Sequence, residues 1–250
     1  HHSLTRHFDG CSIVIHAAAL KRVEKADYNA IEYLRVNTWG AKNVVEAALD
    51  ARVERVVALS TDKASAPVTH YGVTKLAAER IFMAGHLYGG DRTEFVCTRY
   101  GNVVGSQGSV IPLWIKQRAA GEPISIINSA MTRFWMSMGE AVTLVDFAAR
   151  LGEPGTVIIP RLPAATVGDM ADAICPPPHS LIASRGVEKM HESLISADEA
   201  PLATQCCDDH FLLGTSHPLG IPGQYDSSNT SRLTVDQIRE RLPVALAEIV

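Results

Sequence analysis

The chain of 250 residues has no apolar run approaching the ~20 residues that a membrane-spanning helix requires; stretches such as Ile13 to Leu20 are far shorter. It has no basic excess either: 23 Lys and Arg stand against 27 Asp and Glu, for a net charge of -4. Binding to nucleic acid by broad phosphate neutralisation is therefore excluded. Its five cysteines, Cys11, Cys97, Cys175, Cys206 and Cys207, are odd in number, irregular in spacing and adjacent at the last pair. That pattern argues against a disulfide framework and for a reducing, cytoplasmic setting. The stretch Cys206-Cys207-Asp208-Asp209-His210 collects metal-ligand residue types. Adjacent cysteines lack the loop that lets two thiolates reach one tetrahedral ion, and His7 with Cys11 makes only two ligands, so no metal site is expected. Also absent is a G-x-G-x-x-G loop between a strand and a helix. Gly101, Gly105 and Gly108 follow a late strand, and no helix clearly opens on them. Residue 1 is His, not Met. These absences lead us to expect a chain cut at its N-terminus, short of about 60–80 residues that would carry the first strand-helix units. The strand around Val14 would then be an open apolar edge.

What is present alternates. Ser12-Ile13-Val14-Ile15-His16 reads as a buried strand, 30–51 as a helix, and Val53 to Ser60 as a second strand. A helix over 70–85 and a strand over Glu94 to Arg99 follow. Continuous apolar strands separated by helices predict a parallel α/β sheet covered on both faces. From about 105 the texture loosens into Gly, Pro and short strands, with Val157-Ile158-Ile159-Pro160 the clearest and Pro176 to Pro178 a loop. An amphipathic helix from about Thr234, its N-cap, runs to the end. The expected division is 1–104, a partial dinucleotide-binding domain with the catalytic residues, and 105–250, mainly a smaller substrate-binding lobe with segments returning to the sheet.

The densest chemistry lies between Ser60 and Lys75. Tyr71 and Lys75, four apart on a helix, share one face. A phenol titrates near ~10, and a neighbouring ammonium lowers that value toward the range useful for a base. Thr61, at a strand end, can bond the same substrate hydroxyl as Tyr71. Asp62 and Lys63 beside them suggest a second proton-transfer task, such as elimination of water.

These residues resemble the extended short-chain dehydrogenase/reductases, and within them the UDP-N-acetylglucosamine 4,6-dehydratases of the polysaccharide-biosynthesis group, closest to the C5-inverting type of pseudaminic acid synthesis. The resemblance is carried by Ile15 to Lys21 (IHAAALK), Asn37 to Val44 (NTWGAKNV), Leu59 to Ala64 (LSTDKA) and Tyr71 to Lys75 (YGVTK). It continues through Arg99 to Ser106 (RYGNVVGS), Met131 to Trp135 (MTRFW) and Glu188 to Glu192 (EKMHE). It implies a Rossmann-like doubly wound sheet, NADP (NAD being possible) as cofactor, UDP-GlcNAc or a related UDP-sugar as substrate, and a homo-oligomer. Tyr71 would take the C4 hydroxyl proton, supported by Thr61, while Lys75 holds the cofactor ribose. Lys63 would remove the C5 proton and Asp62 would protonate the departing C6 hydroxyl. Ala17 and Ala18 would lie against the cofactor. Lys21, Asn102, Arg133, Arg185 and Glu188 would contact the nucleotide sugar, with Arg133 on its phosphates. The chain departs from the family's Arg-Pro-Gly-Glu-Lys at Arg185-Gly186-Val187-Glu188-Lys189. Without the glycine loop, weak NADP binding is expected. Two other readings remain open. A nucleotide-sugar 4-epimerase would use Thr61, Tyr71 and Lys75 without the Asp62–Lys63 pair. A truncated nucleotide-binding protein would not turn over at all.

Overall fold

The computed structural model describes residues 2–90, 92–184, 186, 188–206 and 209–247. The chain divides into two compact units. Unit 1 comprises 1–100, 143–161 and 194–224, and unit 2 comprises 101–142, 162–193 and 225–250. One boundary falls within the helix Met138–Arg150.

Unit 1 is built on a six-stranded sheet. Its strands are β1 (Ile13–His16), β2 (Arg55–Leu59), β3 (Glu94–Thr98), β4 (Val157–Pro160), β5 (Ala203–Cys206) and β6 (His210–Leu213). They stand in the order β1-β2-β3-β4-β6-β5. The first four are parallel, and β6 and β5 close the sheet antiparallel. Parallel neighbours need crossovers, supplied between β1 and β2 by α1 (Gly40–Ala51) and between β2 and β3 by α2 (His70–Gly89). Val56, Val57, Phe95, Val96, Ile158 and Ile159 are fully buried, as strands covered on both faces should be. This is the α/β, largely parallel sheet expected of the sequence.

As expected for the strand around Val14, β1 is the sheet edge, and Ile13 and Ile15 are about half exposed, not buried as their apolar run by itself suggests. Two further local expectations are corrected. The helix expected over 30–51 is interrupted. An α-helical turn at Ala30–Tyr33 passes into a π-helical stretch, Leu34–Trp39, before α1. The cause is tertiary: Asn37 is buried, and its amide bonds both backbone groups of Leu20 and the hydroxyl of Thr74 on α2. A widened turn aims that side chain inward at the cost of helical regularity. The loose texture after 105 contains three helices, α3 (Val110–Ala119), Met138–Arg150 and α4 (Val167–Ile174). The first opens two residues after Gly108, where no helix start was evident. Pro112 occupies its first turn, where a missing N–H is tolerated.

Unit 2 packs α3 and α4 with α5 (Val235–Ala247) around Trp114, Ile126, Trp135 and Met170. Thr234 caps α5 as expected: its hydroxyl accepts from Gln237 N at 3.3 Å, and Gln237 Oε1 accepts from Thr234 N at 3.0 Å. No described helix is long and apolar enough to cross a membrane.

Candidate active site

In an open parallel sheet, ligands sit beyond the carboxyl ends of the strands. In unit 1 the chain leaves β2 through Ser60 and Thr61 into a single 3-10 turn, Asp62–Ala64. Backbone bonds hold the turn: Ser60 N to Thr98 O at 2.7 Å, Asp62 N to Tyr100 O at 3.0 Å, and Ala64 N to Thr61 O at 3.0 Å. The Thr61 hydroxyl donates to Asp62 Oδ1 at 2.8 Å. Lys63 Nζ meets the same oxygen at 3.0 Å. Asp62 is 1% exposed, and its second oxygen, Oδ2, is buried with no hydrogen-bond partner.

Tyr71 lies in the first turn of α2, which Thr69 caps by accepting from Gly72 N at 3.1 Å. Its ring packs edge-on against Tyr33 with centroids 6.5 Å apart. Burial pushes its phenol up to about 12, while the charge of Lys63 and the polar Thr61 hydroxyl pull the other way. The spacing of Tyr71 and Lys75 suggests that Lys75 draws the phenol down. In the structure that cation is Lys63. The Lys75 ammonium, buried one turn deeper, instead donates to Leu59 O at 2.7 Å. Burial pushes Lys75 below its usual range and Glu79 opposes the shift.

Ala17 and Ala18 are exposed where β1 ends. Lys21 beyond them is exposed too, and Leu20 between is fastened to Asn37. Asn37 also donates to Thr74 Oγ1 at 3.0 Å, and Thr74 donates to Tyr71 O at 2.8 Å. This residue ties the loop after β1 to the Tyr71 helix. Sequence reasoning noted its segment without giving it a role; a buried-helix stripe interrupted by an amide was the available signal.

The sheet end also holds His16, whose ring lies 5.4 Å from that of Phe82. Burial first, and then the charge of Lys75, lower its pKa to about 4. A depressed folded-state value means the unfolded chain takes up the proton first as pH falls. The stability is therefore full above pH 6.5 and is lost toward pH 4, by up to about 3 kcal/mol. His16→Phe, which keeps a ring against Phe82, should flatten the dependence of Tm on pH across that window. An unchanged slope would refute the assignment.

Unit 2 has a cavity of its own, about 360 Å³, with a mostly apolar wall that includes Trp114, Ile126 and Met170. Asn102 and Arg133 line it. Arg133 is tethered within the unit, donating to Thr132 O at 2.7 Å and facing Glu192 at 3.7 Å. Glu188 is not among the lining residues, and its carboxylate accepts from Ser184 Oγ at 2.7 Å. Arg185 lies outside the described residues, as do Cys207 and Asp208. No group of three or more potential metal ligands occurs among the described residues.

The family model described as "Polysaccharide biosynthesis protein" matches residues 1–212. A UDP-N-acetylglucosamine 4,6-dehydratase (inverting) of Campylobacter jejuni is 43% identical over 192 residues, which is 76% of this chain. The matched part spans only 58% of that relative's length. A UDP-glucose 4-epimerase of Rickettsia rickettsii is 33% identical over 259 residues, 96% of this chain and 76% of the epimerase. Among solved structures, Pen from Bacillus thuringiensis superposes with a TM-score of 0.87 at 29% identity, over 96% of this chain and 78% of that one. The protein MoeE5, solved in complex with UDP-glucose and NAD, has a TM-score of 0.66 at 26% identity, over 74% of this chain and 70% of its own. With its parallel sheet, its Thr-Asp-Lys turn and its Tyr-x-x-x-Lys helix, the chain belongs to the polysaccharide biosynthesis protein family, among the extended short-chain dehydrogenase/reductases.

Proposed function

We propose that the chain carries the catalytic apparatus for NADP-dependent dehydration of UDP-N-acetylglucosamine to a 4-keto-6-deoxy sugar, with inversion at C5. It would serve the making of surface polysaccharide or nonulosonic acid of the pseudaminic type, in the cytoplasm and as a homo-oligomer. The observation that carries this reading is the Asp62–Lys63 pair at the end of β2, bonded to each other and to the Thr61 hydroxyl, with the charge of Lys63 acting on Tyr71.

The residues present fit the reactive end of a nicotinamide. Lys75 and Tyr71 would hold its ribose and face its ring, and the small side chains of Ala17 and Ala18 leave room at the end of β1. The sequence holds no G-x-G-x-x-G run to cradle a pyrophosphate. When bound, the oxidised nicotinamide would supply a two-electron acceptor and donor for C4 and C6, and a positive charge that favours ionised Tyr71. Tyr71 Oη takes the proton of the C4 hydroxyl. The resulting ketone acidifies C5-H. Lys63 Nζ removes that proton, and Asp62 delivers one to the C6 oxygen as water departs. The 3.0 Å contact between Nζ and Oδ1 arms both groups at once. One proton moved from ammonium to carboxylate leaves a free amine and a carboxylic acid. Protonation of C5 by solvent from the face opposite Lys63 gives inversion. At the end Lys63 and Asp62 are ammonium and carboxylate again, and Tyr71 is one proton up, the proton it returns to solvent matching the one that solvent gave to C5. The cavity of unit 2, with Asn102 and Arg133, would take the nucleotide sugar; Lys21, Arg185 and Glu188 would add contacts.

The test is incubation with UDP-GlcNAc and NADP in deuterated water, followed by NMR. The expected product is a 4-keto-6-deoxy sugar, inverted and deuterated at C5, and Lys63→Ala should abolish the C5 exchange. The similarity to a 4-epimerase favours one other outcome: a C4 epimer without loss of water, which would leave the Asp62–Lys63 pair without a task. No turnover under these conditions counts against both.

A further inference from the structure

Gly72 stands between Tyr71 and the rest of α2 with no conformational reason to be glycine; it sits in an ordinary helical turn. Its reason is space. A Cβ there would overlap the carbonyl oxygen of Lys63, approach the Lys63 carbonyl carbon to 3.3 Å, and meet Cβ of Pro67 at 3.0 Å. The obstacle is backbone, and neither side can yield alone. The 3-10 turn is pinned by Asp62 N to Tyr100 O and Ser65 N to Asp62 O, both 3.0 Å. The helix start is pinned by Thr69, through Gly72 N at 3.1 Å and Val73 N at 3.0 Å. Ala66, with φ 42°, turns the intervening loop back on itself.

We infer that Gly72 is a positioning residue: by letting α2 touch the Lys63 peptide, it sets the separation between the Asp62–Lys63 pair and Tyr71. The two proton-transfer centres are thereby held at one spacing by contact of backbone with backbone. This rests on the function proposed above for its chemical consequence, but the contact itself stands on geometry. Any side chain at 72 moves Lys63 away from Tyr71, and displacement of a reacting group by ~1 Å can cost about 100-fold in rate.

The test compares the parent chain with Gly72→Ala, with Val73→Ala as the neighbouring control. In Gly72→Ala the dehydration kcat should fall about 100-fold, with KM within two-fold of the parent (about 2 as a ratio). The deuterium isotope effect on kcat should rise for C5-labelled UDP-GlcNAc and not for C4-labelled substrate, because only the elimination step has lost its alignment. A general loss of fold would slow both without changing which step limits. An activity-free readout accompanies this: competitive acetylation of Lys63, followed by mass spectrometry, should speed up in Gly72→Ala and stay unchanged in Val73→Ala. If Gly72→Ala does not fold, Pro67→Gly relaxes the same contact from the loop side and should move the labelling in the same direction. Unchanged Lys63 labelling together with an unchanged C5 isotope effect overturns the inference. A parent chain that makes no product sinks the proposed function, and the labelling arm then decides Gly72 by itself.

Discussion

Arg99→Met should destabilise the chain by about 3–5 kcal/mol, lowering Tm by roughly 6–20 °C. Arg99 is 0% exposed. It grips Glu79 of α2 with two bonds of 3.0 and 2.6 Å, Glu199 with two of 2.9 Å, and Leu194 O at 3.0 Å. Methionine fills much of the volume but leaves two carboxylates in the interior without their cation. The cost comes from that orphaned charge more than from any net gain of the ion pairs. Adding Glu79→Gln and Glu199→Gln to Arg99→Met should therefore recover much of the loss. Burial pushes Glu199 up, yet Arg99 and the Ser196 bonds outweigh it and hold its carboxyl below the usual 4.5. A carboxyl depressed in the folded state contributes stability above its unfolded value, and the contribution is lost as pH falls through the folded value. The gap between parent and Arg99→Met should accordingly narrow below about pH 4.5. Equal denaturation midpoints at pH 7 would refute the account. The effect should reach the site too, because Ser65, next after the Asp62–Ala64 turn, bonds Glu199 at 3.3 Å.

Tyr71→Phe should lower the dehydration rate by about 10²–10⁴-fold while leaving Tm almost unmoved. The ring keeps its packing against Tyr33, and only the hydroxyl is lost. That hydroxyl, which the charge of Lys63 helps to ionise, is the proposed acceptor of the C4 proton, so its removal takes away the first proton transfer. Substrate affinity should be retained, since Tyr71 does not line the cavity of unit 2. Single-turnover product formation, with KM measured alongside, checks this. Activity within ten-fold of the parent (about 10 as a ratio) would assign the proton transfer to another group.

What could be read in advance follows from distance along the chain. β2, β3 and α2 were legible because each carries its own period or apolar run. Thr61, Asp62, Lys63, Tyr71 and Lys75 fall within 15 residues on a strand end and the next helix, so spacing alone gathers them. The π-helical stretch was not legible, because it answers to Leu20, 17 residues earlier, and Thr74, 37 later. The Arg99 cluster joins residues 20 and 100 positions apart, which no local pattern carries. The helix at Val110 was obscured by its own composition: Val110 to Ile115 is apolar all round and contains a proline, so no amphipathic period appears. The run of Ile and Val in β1 reads alike at an edge or a centre, and it was the missing glycine loop, not the run, that pointed to an edge.

One stripe of α2 carries Tyr71, Lys75, Glu79 and Phe82 in succession, all buried. The first two face the chemistry, the third grips Arg99, and the fourth fills the core. Each added residue turns a helix by about 100°. An insertion after Lys75 would thus swing the charged and aromatic anchors off their partners, or, with those anchors kept, swing Tyr71 off Tyr33. The helix acts as a gauge block whose length is common to the reaction and the fold. Drift in residue type is open at its exposed positions such as Val73; drift in its length is closed.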